Sequence, residues 1–126
     1  WAMAEHTRLY RKFHRFMADY DILICPTTSV PPFHKDQLFP KEINGKPLEN
    51  YISWCALTYG LTITDHPVVV LPCGLDETGA PFGLQIVGRR NQDARLLAIA
   101  RSLEAVLAET DQCNRPIPDL SAITNV

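Results

Sequence analysis

This sequence predicts an α/β or α+β fold, built in the order helix, strand, long loop, helix, β-hairpin, helix. Apolar residues at helical spacing near both ends supply the outer helices. Two short apolar runs, Ile22–Cys25 and Val68–Leu71, read as buried strands because each stops at a proline. A third segment, Phe82–Gly88, follows a turn built on Asp76, Gly79 and Pro81, so it reads as the return strand of a hairpin. Three short strands are too few to complete an enzyme's sheet.

The first helix is carried by Leu9, Phe13, Phe16, Met17 and Tyr20 and is expected to run to about Tyr20. It begins at Trp1 without a cap or a preceding turn, so the chain reads as a C-terminal segment, one unit over residues 1–126. Asp21–Cys25 follows as a strand closed by Pro26. Residues 27–49 hold Pro31, Pro32, Pro40, Pro47 and Gly45, which exclude long regular elements and leave a long loop of the kind that usually serves a function. Asn50 can cap a helix through about Tyr59 with Gly60 at its end. In the return strand, Phe82, Leu84 and Ile86 share one face, with Gly83, Gln85 and Gly88 around the other. Asn91 is the expected cap of the last helix, with Asp93 in its first turn; Leu96, Ala100, Leu103 and Leu107 form its stripe, widened by Ile99 and Val106. Residues 111–126 read as an irregular tail.

Composition bounds the function. With 126 residues, 46% of them hydrophobic, the chain can bury a core; compact folding would leave roughly 6,800 Å² of about 20,600 Å² exposed. The formal charge of −2 gives no electrostatic reason to expect nucleic acid or an anionic membrane. The cluster Arg8, Arg11, Lys12 and Arg15, offset by Glu5 and Asp19, reads as a solvated helix face. No apolar run approaches the ~20 residues of a membrane span. Cys25, Cys55, Cys73 and Cys113 contain no CxxC pair, and three sit in apolar stretches where a free thiol packs as a small hydrophobe, which points to a reducing, cytoplasmic setting.

Catalytic chemistry is hard to find. His6, His14, His34 and His66 form no HExxH or close helical pair, so no metal is expected, and no cofactor either. His66, before Pro67, reads as a structural histidine. None of Ser29, Ser53, Ser102 and Ser121 stands on a glycine-flanked turn, and no glycine-rich phosphate cradle exists. Cys73, between Pro72 and Gly74, is the best-placed thiol, but no base stands beside it in sequence, and a structural role outweighs a catalytic one.

Three segments together are distinctive. Residues 21–28 (DILICPTT), 58–74 (TYGLTITDHPVVVLPCG) and 81–88 (PFGLQIVG) resemble, in order and spacing, motifs of the amidase signature family, and with the terminal helix they cover most of residues 5–108. The resemblance implies an α/β/α enzyme with a mixed sheet that hydrolyses carboxylic amides through two serines and a lysine. The Gly-Ser-rich loop that carries those groups lies far upstream in family members, so no catalytic residue is expected in this chain. Many members have Asn where Thr62 stands and Gly-Leu where Asp65 and His66 precede Pro67, positions that approach the substrate cleft in relatives. These departures and the long loop favour a stand-alone amidase over the A subunit of a tRNA-dependent amidotransferase; a self-contained, non-catalytic binding module is the reading from another class.

The expected partners are a small-molecule amide, the upstream part of the same enzyme, and a second copy in a homo-oligomer. Thr58, Tyr59 and Thr62, with the loop from Thr27 to Lys46, are expected to border the substrate pocket. Gln85, Gly83 and Gly88 are expected to support it structurally, Gln85 by bonding backbone of the upstream part. An exposed apolar surface is expected where that part would dock.

Overall fold

A computed structural model describes residues 1–123. Helix α1 (Ala2–Met17) leads to strand β1 (Ile22–Pro26). A minimal hairpin follows, β2 (Glu42–Ile43) with β3 (Lys46–Pro47), then helices α2 (Tyr51–Trp54) and α3 (Ala56–Thr62). Strands β4 (Val68–Leu75) and β5 (Pro81–Gly88) and helix α4 (Asp93–Ala108) complete the body, and a 3₁₀ turn spans Leu120–Ile123. The last three residues of the expected tail, 124–126, lie outside the described residues.

The main sheet has the order β1-β5-β4, with both pairings antiparallel. Helix α4 covers one face. Leu71 and Ile86 from the sheet meet Leu96 and Ala100 from the helix in a single buried cluster, with Leu84, Val69 and Ile22 packed around it. Alternation along β5 sends Gln85 and Val87 to the opposite face. There the cross-strand row is Cys25, Gln85 and Val70.

Several boundaries differ from the sequence expectation for physical reasons. Helix α1 stops at Met17 rather than near Tyr20, and Arg89, just past β5, holds the chain that leaves it: the guanidinium donates to the carbonyls of the C-cap residue Ala18 at 3.1 Å and of Tyr20 at 2.9 Å. Strand β1 starts one residue later than expected, leaving Asp21 outside to pair with Arg95 at 2.7 Å. The proline-rich loop is not wholly irregular, since Asn44 and Gly45 both adopt positive φ and turn β2 into β3. Asn50 does cap its helix, its Oδ1 accepting from the Ser53 N–H at 3.1 Å. That helix then breaks at Cys55 and resumes through Gly60 to Thr62. Strand β4 continues past Leu71 to Leu75; Pro72 is tolerated because β4 is an edge strand. Asn91 has φ 58°, turning the chain out of β5, so Gln92 rather than Asn91 flanks α4. Gly88 belongs to the face of Leu84 and Ile86, not to that of Gln85: a Cβ there would stand 3.1 Å from Leu96.

Asp65 is the third non-glycine residue with positive φ, 55°. It stands where the motif resembled in the sequence has glycine, and the geometry explains that preference. Its exposed pairing with His6 at 3.5 Å is worth little. Asp65→Gly should therefore raise stability by about 0.5–1 kcal/mol, and Asp65→Val should lower it by at least as much. Urea midpoints of the two variants test this; opposite shifts in the stated directions are expected.

Candidate substrate-facing site

A cavity of about 540 Å³ opens beside the end of β1. Its walls come from the Pro26–Phe33 segment, Trp54 of α2, the β4–β5 turn at Asp76, and Pro81–Gly83. Each wall is held by a local device. Phe33 stacks edge-on against Trp54 with centroids 5.6 Å apart, and Trp54 does the same against Tyr51 at 6.0 Å. Asp76 organises its turn by accepting through Oδ1 from the Thr78 hydroxyl (2.6 Å), the Thr78 N–H (2.8 Å) and the Ala80 N–H (2.9 Å). The hydroxyl bond foremost, then the backbone donors, holds its carboxyl below the ordinary carboxylate value. The other oxygen, Asp76 Oδ2, and the indole Trp54 Nε1 are enclosed without a hydrogen-bond partner.

Behind this cavity lies a hydrogen-bonded knot centred on Thr27. Its N–H (3.0 Å) and hydroxyl (3.2 Å) both donate to the Gly83 carbonyl, and a Cβ on Gly83 would stand 3.2 Å from the Thr27 methyl. The Thr58 hydroxyl donates to the Thr27 carbonyl at 3.2 Å, which ties α3 to the loop. Gln85, buried at 5% exposure, donates from Nε2 to the Pro26 carbonyl at 2.9 Å. That acceptor is in this chain's own β1, not in an upstream part. The partnered amide fixes the path of the backbone just where it leaves the sheet and enters the cavity wall.

Of the residues singled out in the sequence, Thr58 reaches this wall through Thr27. Tyr59 is half exposed, and the Thr62 hydroxyl turns back to the Thr58 carbonyl at 3.1 Å; neither lines the cavity. Trp54, Phe33 and Asp76 do line it, and no polar motif in the sequence points to them. The signal available for them is an aromatic pair flanking a proline-rich loop.

The histidines do not converge on chemistry. His66 is buried, with Nδ1 donating to the Thr64 carbonyl at 2.7 Å and its ring edge-on to Phe13 at 4.9 Å. It fills a core position between α1 and the start of β4. Ser53, Ser102 and Ser121 direct their hydroxyls to Asn50, the Ala98 carbonyl and Asp119. Among the described residues, no three His, Cys, Asp or Glu side chains are arranged to hold a metal ion, and no helix is long and apolar enough to cross a membrane.

Comparison with known proteins accounts for this arrangement. The family model described as Amidase matches residues 1–97. The chain belongs to the amidase family. An acylamidase of Rhodococcus erythropolis is 36% identical over 98 residues, which cover 77% of this chain and 20% of that protein. A glutamyl-tRNA(Gln) amidotransferase subunit from Halothermothrix orenii is 34% identical over 106 residues, covering 84% of this chain and 21% of that protein. The solved structure of 6-aminohexanoate cyclic dimer hydrolase superposes with TM-score 0.69 and 25% identity, over 82% of this chain and 23% of that one. This amidase-family chain thus spans about a fifth of the length of the curated relatives it matches. Its α/β architecture agrees with that of the hydrolase.

Proposed function

We propose that the 126 residues form a single C-terminal segment of a cytoplasmic amide hydrolase, contributing three strands, a helix layer and one wall of the substrate cleft. The observation that carries this reading is the family match over residues 1–97 in a chain where the Ser53 and Ser102 hydroxyls bond to Asn50 and the Ala98 carbonyl. The Ser-Ser-Lys machinery of the reaction then lies upstream. Thr58, Tyr59 and Thr62 with the Thr27–Lys46 loop face the amide, and the cavity between Phe33, Trp54 and Asp76 forms the adjoining wall. Gln85 and Gly83 hold that wall in place, whereas Gly88 lets α4 pack closely on the other face through Leu96.

Surface area supports the docking part of the reading. The chain exposes 9547 Å², against roughly 6,800 Å² for a compact monomer of its size. Part of the excess is apolar and lies on the sheet face away from α4, where Val70 is 56% exposed. An upstream layer of the same enzyme is the occupant proposed for this surface.

Amide hydrolysis requires an activated nucleophile with a base in reach and donors for the oxyanion. Loss of the nucleophile alone removes on the order of 10⁶-fold in rate, so the purified chain should turn over neither aliphatic nor aryl amides. The product of the complete reading frame should hydrolyse them. Ammonia release from glutamine only in the presence of partner proteins would favour the amidotransferase reading, and robust turnover by the 126-residue chain would reject the placement of the machinery. Light scattering of the isolated chain should show self-association through the uncovered surface; a clean monomer would reject the docking claim alone.

A further inference from the structure

Cys73 and Cys113 are 40 residues apart in sequence, and the fold sets them side by side. Cys73 occupies the irregularity of β4 between Pro72 and Leu75. Cys113 follows α4 in a turn whose N–H donates to the Thr110 carbonyl at 2.9 Å. Gly74 brings the two segments together. Its φ of 71° lets the strand run so near the other segment that a Cβ would stand 2.0 Å from the Gln112 carbonyl oxygen and 3.4 Å from Cys113 Cα. Both thiols are half-buried and border one open groove, so small reagents can reach them. Burial, and then hydrogen bonding and charge at the Cys113 thiol, raise the Cys73 thiol above its usual value.

We propose that Cys73 and Cys113 form a dithiol site that closes to an intramolecular disulfide by exchange with a low-molecular-weight disulfide, fastening the segment after α4 to the sheet. One cysteine, as its thiolate, attacks a sulfur of the small disulfide and displaces one small thiolate, which takes up a proton. The second cysteine, deprotonated in turn, attacks the protein sulfur of that mixed disulfide and expels the other small thiol. Two protein thiols are oxidised, one small disulfide is reduced to two thiols, and the protons given up by the cysteines end on those thiols. The link closes a 40-residue loop in the unfolded chain, the length regime in which a cross-link stabilises appreciably.

The test treats the 126-residue chain with oxidised glutathione and reads intact mass, a non-reducing digest and the thermal midpoint. The expected product has lost two hydrogens, yields a Cys73–Cys113 peptide pair, melts roughly 10 °C higher and reverts with dithiothreitol. Cys113→Ser should stop at one glutathione on Cys73 with no such rise, while Cys25→Ser should still close. Unchanged mass, glutathione retained on Cys73 or Cys113 of the unsubstituted chain, or a link from either to Cys25, Cys55 or a second chain would each overturn the proposal.

Discussion

Ile86→Ala should cost the fold about 3 kcal/mol, the largest loss expected from any single truncation. Ile86 is fully buried in the central strand, paired with Ile24 on one side and Val69 on the other, and it packs under Leu96 and Ala100. Truncation forfeits the transfer of three carbons from water and leaves a void that a sheet hydrogen-bonded on both sides cannot collapse. Domains of this size are stable by roughly 5–15 kcal/mol, so the loss is a large part of the whole. The check is a urea titration read by far-ultraviolet circular dichroism, with Val70→Ala beside it. Val70 is 56% exposed on the other face and should lose under about 1 kcal/mol. Equal losses would mean that α4 does not define the buried face.

Gly74→Ala should lower stability by about 2 kcal/mol and release the segment after α4. Two effects add. A side chain at positive φ costs on the order of 1 kcal/mol, and the new methyl would overlap a backbone oxygen, which cannot rotate aside as a side chain can. Gly79→Ala isolates the first effect, because Gly79 has φ 82° and nothing within 4 Å of its would-be Cβ. Gly79→Ala should show only the backbone cost. Hydrogen exchange at the Cys113 amide, protected by its bond to Thr110, should accelerate in Gly74→Ala and not in Gly79→Ala. Equal exchange in both variants would remove the clash as the cause.

Regular elements with a one-dimensional pattern are legible in the sequence: the α4 stripe of Leu96 and Ala100, the β4–β5 hairpin, the Asn50 cap. Contacts made with distant partners are not. Arg89, just past β5, holds the chain that leaves α1 from 71 residues away from Ala18, and no local pattern near Ala18 announces it. Asn91 illustrates a different limit, because asparagine suits both a helix cap and a left-handed turn, and only the direction in which β5 must hand over to α4 decides between them. The sequence reading sets Gly88 on the wrong face, beside Gln85, although strict alternation from Leu84 and Ile86 places it correctly. The cavity wall escapes such a reading because Phe33, Trp54 and Asp76 come from three separate segments and become neighbours only when β1 pairs with β5.

That pairing also sets the order in which the molecule can assemble. Strands β4 and β5 are joined by a five-residue turn, residues 76–80, and can find each other within microseconds, whereas Cys25 meets Gln85 only after closing a loop of 60 residues. A tenfold longer loop carries roughly 2 kcal/mol more closure entropy, so β1 should join after the β4–β5 hairpin has formed and α4 has docked on it. Although β1 comes first in synthesis, it waits for a template made from the second half of the chain. Until then its apolar residues and its unpaired backbone stay available to other chains. Aggregation during refolding should therefore track the lifetime of this unpaired strand, and a charge placed at Ile24, half exposed once folding is complete, would protect the waiting strand at modest expense to the finished sheet.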